Sequence, residues 1–535
     1  LVFKFLNIKK NNMKKLYNPI LLAGLLSMFS ACDSFLDTIP DNRAELNTEE
    51  KITALITSAY PNKSPKMIMQ YASDNVLDLG HNYSSSLIPE EAYLWKDITG
   101  TGNDDPRYIW QAHYSAIANA NQALEAIENY PEPDKLKAQR AEALMCRAYG
   151  HYVLSTLFCK AYNKETADKD FGLPYASKPE TQVLVNYKRG SMKELYDNIH
   201  KDIEAALPDI DDAIYSVPKY HFNQKAAYAF AARFNLFHTQ ADKSNYQRAI
   251  QYADKALGTS PAALLRNFEQ YLPLGAFDIS RKYVQASEPA NFFIQPIYST
   301  SARRVSRYPY HRDIMSNELY WALGPWGTSG SKQFLYWARK LYSFGEGIRF
   351  PKADEFWEEA GYAHIVTVPF TADETLLVRA EAKVMLDKYD EATTDLQLWY
   401  HSHCAPEYRD SKGVVRQLPE LTREKINTFF GSLEYAPVVS MVDGGKDRTI
   451  KKKLHPQGFS VSEGEQENFI HCILHFRRLE TLFEGQRWID IKRYGIEVGH
   501  NRKNEEAEIL KVDDPRRAFQ LPIDVIEAGI EANPR

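Results

Sequence analysis

Thirteen Phe, Tyr and Trp residues fall within the 55 positions from Asn291 to Gly345, nearly twice the 13% aromatic share of the whole chain. Trp321, Trp326, Tyr336 and Trp337 stand there beside Gly, Ser and Thr, with Tyr298 ahead of them. The same window holds Arg303, Arg304, Arg307, Arg312, Lys332, Arg339 and Lys340 against only Asp313 and Glu318, in a chain of net charge −5. A second cluster between Tyr71 and Trp110 gathers Asp74, Asn75, His81, Asn82, Tyr83, Trp95 and Asn103. A sugar presents an apolar C–H face and a rim of hydroxyls, so rings beside amides, carboxylates and guanidiniums supply the chemistry it needs. The same rings also suit packing within a lobe or contact with a partner. The candidate ligand-binding set is Asp74, Trp95, Asn103, Tyr298, Arg303, Arg307, Trp321, Trp326, Tyr336 and Trp337. Its cationic surplus admits a uronic-acid or sulfated glycan as well as a neutral one.

Other chemistries find less support. Asp104-Asp105 and Glu358-Glu359 are paired carboxylates, but neighbours in sequence rarely flank one glycosidic bond, and solvated loops explain them. His401, His403 and Cys404 crowd together without a second half-site at metal spacing. His471 and His475 stand four apart without the glutamate of a zinc-protease helix and read as packing residues. No nucleophile elbow or phosphate loop occurs. The chain therefore reads as a binding protein with no catalytic set, no cofactor and no metal ligands, a structural calcium being left open. The net charge and the lack of a long like-charge block give no reason to expect nucleic acid.

The elements that must position these residues are mostly helices. Arg107 to Asn129 and Asp134 to Lys160 pair across a Pro-Glu-Pro turn, and Ser191 to Leu207 pairs with Asn223 to Gln240. Asn245 to Leu257 follows with a narrow alanine face, and Ala372 to Asp387 with Tyr389 to Trp399 makes the clearest repeat. Ala380 and Ala392 are twelve apart, the spacing of small packing positions in tetratricopeptide helix pairs. The expected fold is mainly α. About four degenerate tetratricopeptide-like pairs would form a right-handed superhelical scaffold, beside a loop-rich ligand-binding lobe with few short strands. Residues 32–257 hold the first repeats, 258–370 the lobe, and 371–535 the last repeat. Residues 1–31 read as a signal peptide, with 1–12 upstream of the true start at Met13. Its thirteen-residue apolar run, Pro19 to Ala31, is shorter than the roughly 20 residues a membrane span needs. It ends directly before Cys32, as a lipoprotein signal does, and acyl chains on Cys32 would anchor the protein. Cys146, Cys159, Cys404 and Cys472 read as buried free thiols, since no pair has bridging geometry along its helix.

Near the end of the chain, Phe469 to Gly495 combines an apolar helix face (Phe476, Leu479, Leu482, Phe483) with Arg477, Arg478, Arg487 and Arg493. Gly485 interrupts it, which points to a close backbone approach. This segment reads as a keystone between other parts of the chain. The ordered set Arg478-Leu479-Glu480, Phe483-Glu484-Gly485, Arg487-Trp488, Asp490 and Arg493, with the later Leu521-Pro522-Ile523 and Asn533-Pro534, resembles the C-terminal signature of the SusD/RagB family. That resemblance implies a nutrient-binding lipoprotein of the outer-membrane surface, built on helical repeats. It would bind an oligosaccharide and pass it to a SusC-like TonB-dependent transporter, with peptide binding as the family's alternative. A lipid-anchored glycosidase is a more distant one.

Overall fold

The computed structural model describes residues 46–180, 187–301, 307–327, 334–340, 342–344, 347–349, 354–357 and 363–535. Helices start where the sequence supplies a cap. Thr48, Asp105, Ser191, Asn223 and Thr371 each accept a bond from the backbone N–H three residues on, satisfying a donor the helix itself leaves open. They open α1 (Glu49–Thr57), α3 (Pro106–Glu128), α5 (Met192–Ala206), α6 (Gln224–Phe237) and α8 (Ala372–Met385). Ser191 and Glu194 form a full capping box, and Pro106 sits at the first helical position, where its missing N–H costs nothing. Between and after these lie α2 (Lys66–Ala72), α4 (Lys137–Phe158), α7 (Ser244–Leu257), α9 (Tyr389–His403), α10 (Glu465–Glu480) and α11 (Gln486–Arg493).

The helices pack as a ladder of neighbours: α3 on α4, α4 on α5, α6 on α7, α7 on α8, and α8 on both α9 and α10. A mainly helical, tetratricopeptide-like arrangement is therefore present, with one change of partner. The pairing expected between 191–207 and 223–240 is not the principal one. Helix α5 lies on α4, while α6 takes α7, whose small face (Ala249, Ala253, Ala256) is fully buried. Small side chains let two helix axes approach closely, and that face decides the partner.

Helix α10 is buried all round from Asn468 to Glu480, as a helix enclosed by others must be. Its arginines hold distant segments. Arg477 makes a two-point contact with Asp490 (2.9 and 2.7 Å) and bonds Glu381, which also takes Arg493 and the Tyr494 hydroxyl. Arg478 donates to Asn75 Oδ1 and the Asp74 carbonyl, and Arg487 donates twice to the Asp74 carboxylate at 2.8 Å. Gly485 stands between α10 and α11 at φ +79, with Lys66 backbone against it. The four cysteines of the described residues are free and buried.

Strands are few. Strand β1 (Asn291–Tyr298) pairs antiparallel with β3 (Ala363–Thr371), which also pairs with β2 (Asp354–Trp357). Strand β3 runs straight into α8, so this small sheet is fixed to the helical ladder. Asn47–Arg535 forms one compact unit.

Candidate functional site

Strand β1 ends at Tyr298, and three separate segments converge there. The Tyr298 N–H donates to the Asn62 carbonyl (2.9 Å) and the Ser299 N–H to the Ala363 carbonyl (3.1 Å). Buried Asp104 accepts from the Ser299 hydroxyl (2.5 Å), the Thr300 N–H (2.9 Å) and the Thr300 hydroxyl (3.0 Å), tying the chain after β1 to the turn before α3. Asp105 accepts from the N–H groups of Gly102 and Tyr108 and so fixes the first turn of α3. These two carboxylates are therefore buried structural groups, a correction to their reading as solvated loop residues.

The clasp brings Asn103, Tyr108 and Tyr298 to one place, and Lys63 lies among them. The Lys63 ammonium donates to Asn103 Oδ1 at 3.0 Å and sits 4.9 Å from the Tyr298 ring centroid and 5.5 Å from that of Tyr108. Burial lowers its pKa, against the raising effect of Asp104 and Asp105. Tyr108 is 45% exposed, whereas Tyr298 is half-buried against His364 (centroids 3.7 Å).

A groove of about 960 Å³ runs from this point. One wall is the stripe Tyr108, Gln111, Ala112, Ser115 and Asn119 of α3, residues that share a face at helical spacing. The other is formed by residues 57–63, by Phe293 to Pro296 of β1, and by Tyr220 with His221. Tyr220 is 49% exposed. Fixed contacts hold this wall: Tyr60 donates to Glu142 (2.6 Å) and stacks on Phe222 (5.8 Å), and Asn119 Nδ2 donates to the Ser58 carbonyl (2.8 Å). Among the described lining residues there is no Asp or Glu. The groove thus offers exposed rings, amides and one ammonium, at the upper end of the volume range of small-molecule sites.

Of the residues expected to bind ligand, Asn103 and Tyr298 come together around Lys63 at one end of the groove, though neither lines it. The others are placed elsewhere. Asp74 is buried beneath Arg478 and Arg487, which, against the opposing effect of burial, hold its carboxyl well below the usual range. Trp95 is buried, donates to the Ala72 carbonyl (2.9 Å) and stacks on His500 (4.2 Å). Trp326 has no exposed surface and packs near Phe476. Trp337 is buried against Phe268 (4.9 Å), and Tyr336 is buried beside it. Trp321 is half-buried and donates to the Ala338 carbonyl (3.3 Å). Arg307 makes a two-point contact with Asp78 (2.6 and 2.9 Å), so its charge is already matched. The indoles fill the core because their area stabilises packing, and the guanidinium closes a loop onto another. Arg303, Arg304 and Cys32 lie outside the described residues. Lys63, Tyr108 and Tyr220 were not anticipated. Tyr108 lies inside the second aromatic-rich window, and a lone lysine or a lone tyrosine carries no sequence signal.

The histidines resolve differently. His471 and His475 are buried packing residues, and burial with nearby guanidiniums lowers the His475 pKa to about 3. His403 does gain acidic neighbours, Asp373 and Glu480, its Nε2 lying 2.6 Å from Glu480 while Nδ1 faces the Trp399 carbonyl at 2.8 Å. Burial and then Glu480 raise Asp373 to about 7. All three side chains are shut away from solvent, so this is an internal network.

The helical ladder thus carries an open groove with exposed rings among its described residues. Residues 34–236 match the family model of SusD-like proteins described as starch-binding and associating with the outer membrane. The SusD-like protein P2 of Formosa agariphila is 23% identical over 532 residues, covering 95% of this chain and 92% of that protein. A SusD superfamily protein from Bacteroides thetaiotaomicron superposes with a TM-score of 0.58 at 16% identity, over 90% of this chain and 98% of the other. A SusD-like carbohydrate binding protein from Bacteroides vulgatus gives 0.55 at 14% identity, over 87% and 89%. A laminarin binding SusD-like protein gives 0.52 at 14% identity, over 91% and 99%. The chain shares the fold of these structures, and its residues 34–236 are similar to the SusD-like family.

Proposed function

We propose that the protein binds an oligosaccharide in the groove between α3 and β1, with Tyr108, Tyr298 and Tyr220 as stacking surfaces and Asn103, Asn119, Gln111 and Lys63 as hydrogen-bonding partners. The observation that carries this reading is the groove's composition: exposed rings and amides on a wall with no carboxylate among its described residues. Rings and amides hold a sugar, while hydrolysis in the usual way needs two carboxylates flanking the bond. The protein is thus read as a capture protein with no enzymatic activity. The laminarin-binding relative supports a glycan over a peptide. Lipidation at Cys32 would hold it at the outer-membrane surface, and delivery would be to a SusC-like TonB-dependent transporter, as the family resemblance implies. No helix among the described residues is long and apolar enough to cross a membrane.

Calorimetric titration of the protein with a panel of oligosaccharides tests the reading. Tyr108→Ala and Tyr220→Ala are each expected to weaken the binder found by about 1–3 kcal/mol through lost apolar contact, without lowering the melting temperature. Undiminished binding in both variants would place the ligand elsewhere.

A further inference from the structure

Lys63 is a half-buried cation without a carboxylate. Its ammonium has three N–H groups, and one donates to the neutral amide oxygen of Asn103. No ion pair to it forms among the described residues, whereas Arg307 is paired with Asp78, Arg487 with Asp74 and Lys452 with Glu318, and buried Lys492 is held by two backbone carbonyls. The two carboxylates that act on its charge, Asp104 and Asp105, have their oxygens occupied by five other donors. Asp105 additionally sits at the N-terminus of the 23-residue α3, where the helix dipole offsets a negative charge. Facing the groove, the wall carries no Asp or Glu among its described residues, and its histidine, His221, has Nδ1 2.8 Å from Glu142. At this end of the groove the Lys63 ammonium stands between two rings, beside carboxylates already engaged by other donors, in a chain that is acidic as a whole.

We infer that the sugar unit docked against Tyr108 and Tyr298 carries a negative charge, a uronic carboxylate or a sulfate ester, which pairs with the Lys63 ammonium. This rests on the groove reading above and names the ligand class within it. A hydrogen bond between two charged groups is worth more than one to a neutral hydroxyl, and a half-buried site screens it less than open water does.

The test is an array followed by titration, with four probe classes: oligogalacturonides, their methyl esters, sulfated galactan oligosaccharides, and the same oligosaccharides after desulfation. One acidic class is expected to bind, to lose roughly tenfold or more in affinity on esterification or desulfation, and to weaken as salt rises. Lys63→Met should remove that difference, and Lys63→Arg should restore it. The uronate and sulfate arms tell the two acidic sources apart. A neutral probe that binds as well as its acidic counterpart, without salt dependence and equally in Lys63→Met, yet is lost in Tyr108→Ala, would overturn the charge inference and leave the groove standing. If Tyr108→Ala leaves all binding unchanged, the groove reading itself fails and this inference falls with it.

Discussion

Asp104 does the work of a clasp. Its carboxylate collects three donors from Ser299 and Thr300 and so fixes where β1 delivers Tyr298. Asp104→Ala leaves those buried donors unsatisfied and is expected to cost about 1–3 kcal/mol in denaturant unfolding, with weaker oligosaccharide binding alongside. At this scale the sequence was partly legible. Clusters of rings and amides pointed to Asn103 and Tyr298, because polar handles beside rings favour half-exposed positions. They also pointed to Trp95, Trp326 and Trp337, which are core. Composition cannot tell an inward ring from an outward one when the surrounding backbone is irregular, since no periodicity then assigns a face. Lys63 gave no signal because its placement depends on two tyrosines 45 and 235 positions further along the chain.

Among the elements, the segment from α10 to α11 was the most readable. An apolar face at helical spacing with four arginines needs carboxylate partners on all sides, and the structure supplies Glu381, Asp490, Asp74 and Glu318. Gly485 was expected to mark a close approach, and a Cβ built there would stand 3.0 Å from Lys66 Cα and its carbonyl oxygen. Gly485→Leu therefore combines a strained positive φ with overpacking against α2, at an expected cost of more than about 1–3 kcal/mol. A melting temperature equal to wild type would show that α2 yields and that the junction is not a fixed point. The exchange of helix partners between α5 and α6 escaped the sequence reading, because amphipathic helices of similar length can each satisfy either neighbour until the small alanine face of α7 is placed.

For the molecule as a whole, the buried charge network sets the response to acid. Burial pushes the Glu381 carboxyl up, but Arg477 and Arg493 outweigh it and bring it to about 2. Glu318 likewise falls to about 2, under Lys452, Arg448 and Arg478. A carboxyl lowered in the folded state contributes stability that is complete above its unfolded value near 4.5 and is lost as pH falls towards 2. Melting temperature should therefore decline through that window. Glu381→Gln should be destabilised at pH 7 by about 3–5 kcal/mol, for leaving buried guanidiniums under-matched, and should show a shallower acid decline. The mainly helical, repeat-built fold was legible in periodicity, caps and the keystone pattern. The groove was not, because it is made by α3, β1 and two loops meeting from four parts of the chain. Oligosaccharide binding in the groove is tested by a crystal structure of the protein with the oligosaccharide it binds. Sugar rings are expected in the groove between α3 and β1, one of them against Tyr108 or Tyr298 and within hydrogen-bond reach of Lys63 or Asn103. A glycan seated on another surface, with this groove holding only water, would contradict it.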